Sequence, residues 1–151
     1  MSEPRGLTIR PFAPGDQDAA RDLILEGLRG RFGSAFDGDL NRDLDDIAAS
    51  YAGAYFIIAL LCDQLVSTGA LVPRGPEVAQ VVRMSVDRRY RRRGIGRAIL
   101  DRLLERARCS GCRRVILGTN DAWDDAIAFY TSCGFRQVAR HQGGILFEME
   151  V

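Results

Sequence analysis

Val86-Asp87-Arg88-Arg89-Tyr90-Arg91-Arg92-Arg93-Gly94-Ile95-Gly96-Arg97-Ala98 joins a strand to a helix through a run of arginines and two glycines. Before it, Val78 to Val86 is a β-rich run. After it, Ile95, Ile99, Leu103, Leu104 and Ala107 recur at helical spacing until Ser110-Gly111 stops the helix. The glycines therefore stand at a helix amino terminus, where unpaired amides and the positive end of the dipole favour an anion. Gly94 and Gly96 let backbone approach a diphosphate closely, and arginines pair bidentately with phosphate oxygens. The same order of elements also occurs without a ligand, and an arginine run is often a solvated face. Two nucleotide signatures are absent. No Gly-Lys-Ser/Thr exists in a chain without lysine, and Ile99 stands where a Gly-x-Gly-x-x-Gly fingerprint would end.

Charge is concentrated in the same place. All 21 basic residues are arginine, and residues 83–114 hold 12 of them against 3 acids, whereas residues 1–72 hold 6 arginines against 11 acids. An anionic partner fits the cationic segment, while the net charge of +1 conceals it. At 151 residues, 46% hydrophobic and 27% charged, the chain suits one domain, residues 1–151, with a real core and no membrane span. Met1-Ser2-Glu3-Pro4-Arg5-Gly6 lacks the features of a secretory signal, so a cytoplasmic protein is expected. Cys62, Cys109, Cys112 and Cys133 read as free thiols. Cys109 and Cys112 have metal-like spacing, but no second pair completes a site, and no metal is expected.

Outward from the arginine run, Leu7 to Arg10 reads as a first strand, and Asp16 to about Gly30 as a helix. Arg31 to Arg42 reads as an open loop, and Asp43 to Tyr51 as a short helix capped by Asp43. Tyr55 to Leu61 and Gln64 to Val72 pair as a hairpin through Cys62-Asp63. Arg114 to Gly118 is a strand and Asp124 to Cys133 a helix. Phe135 to Ala139 and Ile145 to Val151 are last strands joined at His141-Gln142-Gly143-Gly144. The order βααβββαβαββ contains hairpins and a βαβ crossover, so an α/β (α+β) fold with a mixed sheet is predicted.

Arg91-Arg92-Arg93-Gly94-Ile95-Gly96 resembles the Arg/Gln-x-x-Gly-x-Gly/Ala signature of the GNAT superfamily of N-acetyltransferases. Arg83-Met84-Ser85-Val86 resembles the family's central strand, and Asp124 to Phe135 its Ala-x-x-x-Tyr-x-x-x-Gly-Phe helix and turn. The likeness is close over residues 78–139 and extends to residues 7–72 only in element order. It implies a splayed mixed sheet of about seven strands flanked by about four helices, gripping acetyl-CoA as acyl donor. The pyrophosphate would lie on the amides of Arg91, Arg92, Arg93, Gly94, Ile95, Gly96 and Arg97. A bulged strand at Met84, Ser85 and Val86 would pair with the pantetheine arm.

By the same resemblance, an amine attacks the thioester directly, the amide of Val86 holds the oxyanion, and Tyr130 protonates the departing thiolate. Asn120 either contacts CoA or caps the following helix, and Trp123 lines the pocket or packs. Gln80 falls where many relatives carry a glutamate and cannot act as a base. Glu77, the aspartates from Asp37 to Asp46, and His141 remain as candidates, with proton transfer through water among the routes. Asp37, Asp39, Asp43, Asp45 and Asp46 would attract a cationic amine, although loop solvation also explains them. The acceptor is expected to be a small primary amine, and a homodimer is compatible with the family. Two other readings keep the same residues: a CoA-binding sensor without catalysis, and a nucleic-acid-binding module using Arg83 to Arg114.

Overall fold

The computed structural model describes residues 3–151; Met1 and Ser2, where the amino-terminal reading begins, lie outside the described residues. In chain order the elements are β1 (Leu7–Pro11), α1 (Gln17–Phe32), α2 (Ile47–Ser50), β2 (Tyr55–Leu61), β3 (Gln64–Pro73), β4 (Val78–Val86), α3 (Ile95–Cys109), β5 (Arg114–Asn120), α4 (Asp124–Ser132), β6 (Arg136–His141) and β7 (Gly144–Glu150). This is the order read from periodicity. The strands form one sheet ordered β1-β2-β3-β4-β5-β7-β6. Every neighbouring pair is antiparallel except β4 and β5, whose connection through α3 makes them parallel.

Alternation along the strands divides the core between two faces. Ile57, Val66, Val81, Val115 and Phe147 pack with Ile99, Leu100 and Leu103 of α3. Phe56, Ile58 and Ala70 point the other way, onto Ala20 and Ile24 of α1 and onto Leu44 and Ile47. None of the described helices is long and apolar enough to cross a membrane.

Several boundaries differ from those expected. The first helix runs past Gly30 to Phe32, because the left-handed residue that stops it is Gly33, at φ 55°. Residues 31–42 are less open than predicted, with 3-10 turns over Gly33–Ala35 and Gly38–Asp45. Asp46, not Asp43, caps α2, its carboxylate accepting from the Ala49 amide at 3.1 Å. Asp43 is bound elsewhere.

Two irregularities of β4 shape the molecule. The first is that β4 and β5 pair only over Val78–Gln80 and Arg114–Ile116. Beyond Gln80, β4 follows β3 and β5 follows β7, so the sheet splits. The second is a bulge. Ser85 faces Thr68 while Val82 faces Ala70, which leaves Arg83 and Met84 sharing the place opposite Gly69. Arg83 takes a left-handed conformation there, at φ 54°. The extra residue inverts the alternation: Val82 and Arg83 both address the α1 and α2 face, and Met84 turns to the α3 face.

Candidate active site

The split between β4 and β5 opens a cleft of about 1250 Å³, walled by β4 from Gln80 to Val86 and by Leu117, Gly118 and Thr119 of β5. The loop before α3 forms one end, and α1 and α4 flank it. The Asp87 amide donates to the Val66 carbonyl of β3 at 2.8 Å. Amides of successive strand residues point to opposite edges, so the Val86 amide points away from β3 and into the split. Met84, Ser85 and Val86, singled out from the sequence, all line this cleft.

The arginine-glycine loop closes one end of the cleft. Arg92 and Gly94 are left-handed, at φ 64° and 82°, which turns the chain sharply into α3. Gly94 suits this conformation without strain, and Arg92 does not. The first backbone bond of the helix runs from the Ala98 amide to the Gly94 carbonyl at 3.0 Å. Among the described residues, the amides from Arg91 to Arg97 donate to no backbone carbonyl, as helix geometry requires of an amino end. Arg91, Arg92, Gly94, Ile95, Gly96 and Arg97 line the cleft, whereas Arg93 does not and holds its guanidinium 5.3 Å from the Tyr90 ring. Gly96 has a second duty: a Cβ there would lie 3.3 Å from Val86 Cγ2. The loop thus packs directly on the strand that carries the Val86 amide.

Tyr130 of α4 lines the same cleft, with its ring against Phe129, Phe135 and Phe147 at 5.1, 6.0 and 6.1 Å. Burial pushes its hydroxyl well above the ordinary tyrosine range, so it carries its proton at neutral pH. Asn120 lies outside the lining, and its Oδ1 accepts from the Ala122 amide at 2.8 Å, bracing the turn into α4.

The carboxylates are distributed differently from the sequence reading. Glu77 is exposed and 3.4 Å from Arg113, Asp37 accepts from the Asp39 amide, Asp39 pairs with Arg42, and His141 is exposed at the end of β6. None of these lines the cleft, and neither do Asp45 and Asp46. Its carboxylates among the described residues are Asp43 and Asp125, each held by an arginine. Arg83 Nε and Nη2 reach the two Asp43 oxygens at 2.9 and 2.6 Å, and the Tyr51 hydroxyl donates to the same carboxylate. Burial pushes the Asp43 carboxyl up, but these donors outweigh it and hold it below the usual range. Burial and the Asp43 charge push the Tyr51 hydroxyl up to about 12. Across the cleft, Arg31 donates to both Asp125 oxygens at 3.0 and 2.7 Å and keeps that carboxyl low as well. Arg31 also stacks 4.4 Å over Trp123, which lines the cleft beside it. Gln80, in the lining, accepts from Arg74 Nε at 2.8 Å.

The sequence reading gave Arg31, Tyr51 and Asp125 no role in a site, and placed Arg83 only in the central-strand match and the cationic segment. They belong to the site through partners distant along the chain, 40 residues from Arg83 to Asp43 and 94 from Arg31 to Asp125.

Residues 21–135 match the model of the Acetyltransferase (GNAT) family, so the chain belongs to that family. It is 36% identical over 109 residues to the N-acetylaspartate synthetase of Danio rerio, covering 70% of this chain and 39% of that protein. It is 32% identical over 109 residues to human N-acetyltransferase 8B, covering 67% of this chain and 48% of the relative. The chain therefore spans about half or less of these curated relatives. Among solved structures, an acetyltransferase from Streptococcus agalactiae superposes with a TM-score of 0.87 at 21% identity, covering 97% of this chain and 99% of its own. The paia N-acetyltransferase of Thermoplasma acidophilum, in complex with coenzyme A, superposes at 0.84 with 16% identity over the full length of both chains. At these identities the likeness establishes the fold.

Proposed function

We propose that the chain is an acetyl-CoA-dependent N-acetyltransferase acting on a primary amine of a small acceptor. The observation that carries this reading is that Val86 and the loop residues Arg91, Arg92, Gly94, Ile95, Gly96 and Arg97, whose amides donate to no backbone carbonyl among the described residues, line one cleft. A thioester needs a donor aimed at its developing oxyanion, and a diphosphate needs a cluster of amides and cations at the far end of the same molecule. Among the described residues Arg91 and Arg92, both in the lining, lie in no ion pair, leaving their charge available to phosphate. The name of the Danio rerio relative, N-acetylaspartate synthetase, supports a small amine as acceptor.

In the proposed reaction the amine lone pair attacks the thioester carbonyl carbon, forming the C–N bond and an oxyanion that the Val86 amide binds. Collapse breaks the C–S bond, and Tyr130 gives its proton to the departing thiolate. The surplus proton on nitrogen passes to water, and a proton from water restores the Tyr130 hydroxyl. Asp43 and Asp125 are ill suited to receive it, because each is stabilised as an anion by its arginine. Tyr130 is placed for this role because its side chain lines the cleft and a phenol carries its proton at neutral pH.

Calorimetric titration with acetyl-CoA at physiological salt tests the donor, with dephospho-CoA and a short RNA as comparators. Turnover of small primary amines is then followed by thiol release. Saturable one-site binding with release is expected. Binding without turnover of any amine would make the chain a CoA sensor, and RNA binding with no affinity for millimolar acetyl-CoA would overturn the reading.

A further inference from the structure

We infer that Asp43 is a positioning residue for the donor-binding strand: it holds Arg83 in the left-handed conformation that creates the β4 bulge, and so ties the loop before α2 to the Val86 amide. The inference rests on the reading that the thioester arm lies along β4 at Met84, Ser85 and Val86.

Arginine has no intrinsic liking for φ 54°, since its Cβ crowds the following carbonyl. Such a conformation persists only where the surroundings over-determine it. Here both sides of the residue are fixed. The Thr68 hydroxyl, fully buried on β3, donates to the Arg83 carbonyl at 2.8 Å. The guanidinium is gripped by Asp43 through two bonds and by Asn41 Oδ1 at 3.0 Å, and the Arg83 side chain is only 17% exposed. In regular alternation residue 83 would project to the α3 face with Val81; the Asp43 contact draws it to the opposite face with Val82. That reversal sets Met84 toward α3, and three residues on it sets the edge to which the Val86 amide points. Asp43 and Tyr51 also stand between the cleft and a second hollow of about 420 Å³ on the α2 side. Whatever moves this loop moves the bulge, and the coupling is reciprocal.

Arg83→Ala and Arg83→Gly separate this role from direct contact with ligand. Both delete the guanidinium, but only glycine adopts a positive φ without strain. Calorimetry with acetyl-CoA is compared with the adenosine bisphosphate fragment of CoA, which lacks the pantetheine arm. Arg83→Ala and Asp43→Asn are each expected to weaken acetyl-CoA binding about tenfold and to leave the fragment within about twofold. Arg83→Gly, alone or combined with Asp43→Asn, regains affinity to within about threefold of the unaltered protein. Equal losses for alanine and glycine would mean that the guanidinium touches the ligand, and parallel losses for the fragment would mean general damage; either overturns the inference, as does no loss at all. Should Arg83→Ala fail to fold, Tyr51→Phe removes one donor from Asp43 and is expected to cost about threefold in acetyl-CoA affinity alone, no loss being the adverse result. Failure of the unaltered protein to bind acetyl-CoA would instead remove the proposed function, and this inference with it.

Discussion

Gly69 of β3 lies so close to Ile99 of α3 that a Cβ on the glycine would sit 2.5 Å from Ile99 Cγ2, and 2.8 Å from Met84 Sδ. The β4 bulge turns Met84 toward α3, and the absence of a side chain at Gly69 makes room for it. Gly69→Ala is therefore expected to destabilise the fold by about 1–3 kcal/mol, the range for overpacking a filled core. Thermal unfolding of the variant should show the midpoint lowered by several degrees; an unchanged midpoint would mean that the helix shifts freely over the bulge.

Asp43 gives a pH-dependent contribution of known sign. Its carboxyl is held below the ordinary range in the folded chain, so the stabilisation is fully present above the unfolded pKa of about 3.9 and is lost as pH falls through the lower folded value. Asp43→Asn should be less stable than the unaltered protein near neutral pH, and the two curves of unfolding free energy should converge at acid pH. A difference that stays constant down to about pH 2 would assign the stability to packing rather than to charge.

Tyr130→Phe removes the proposed proton donor and keeps the ring that packs on Phe129, Phe135 and Phe147. A fall of about 100-fold in kcat is expected, with little change in the KM for acetyl-CoA. Full turnover in steady-state assays with an accepted amine would remove Tyr130 from the reaction.

Because both cleft carboxylates are paired with arginines, deprotonation of the amine should depend on the amine itself. The value of kcat/KM is expected to rise tenfold per pH unit until the pKa of the acceptor, about 10 for an alkylamine. Assays with two acceptors of different basicity should shift the plateau accordingly. A plateau common to both acceptors, set near neutral pH, would reveal an enzyme base.

Arg91→Ala and Arg92→Ala should each weaken acetyl-CoA binding by about 1–2 kcal/mol and reduce its dependence on salt, as loss of a charge-assisted phosphate contact would. Calorimetry at two ionic strengths measures both effects. Arg93, turned onto Tyr90 and outside the lining, should show the smaller change.

Much of this architecture is written in local pattern. Apolar alternation marks the strands, the spacing of Ile95, Ile99 and Leu103 marks α3, and Cys62-Asp63 marks a tight turn whose two residues are left-handed, at φ 51° and 63°. Each signal depends on neighbours a few residues away, and for that reason the element order, the glycine signature before α3 and the membership of the family are legible without coordinates. Asp43 was legible as a helix cap and proved otherwise, because the cap was supplied by Asp46 and its own carboxylate met Arg83.

The sequence alone thus determined the order of the strands and helices and the glycine-arginine loop before α3, since periodicity and turn chemistry act over short distances. Tertiary structure alone decided where the sheet splits, that an arginine rather than a glycine occupies the left-handed place in β4, and that the cleft carboxylates are neutralised by Arg83 and Arg31. An ion pair 40 residues apart and a bulge held by side chains from two other elements leave no periodic trace in the chain. They exist only once the sheet has brought their partners within hydrogen-bonding distance.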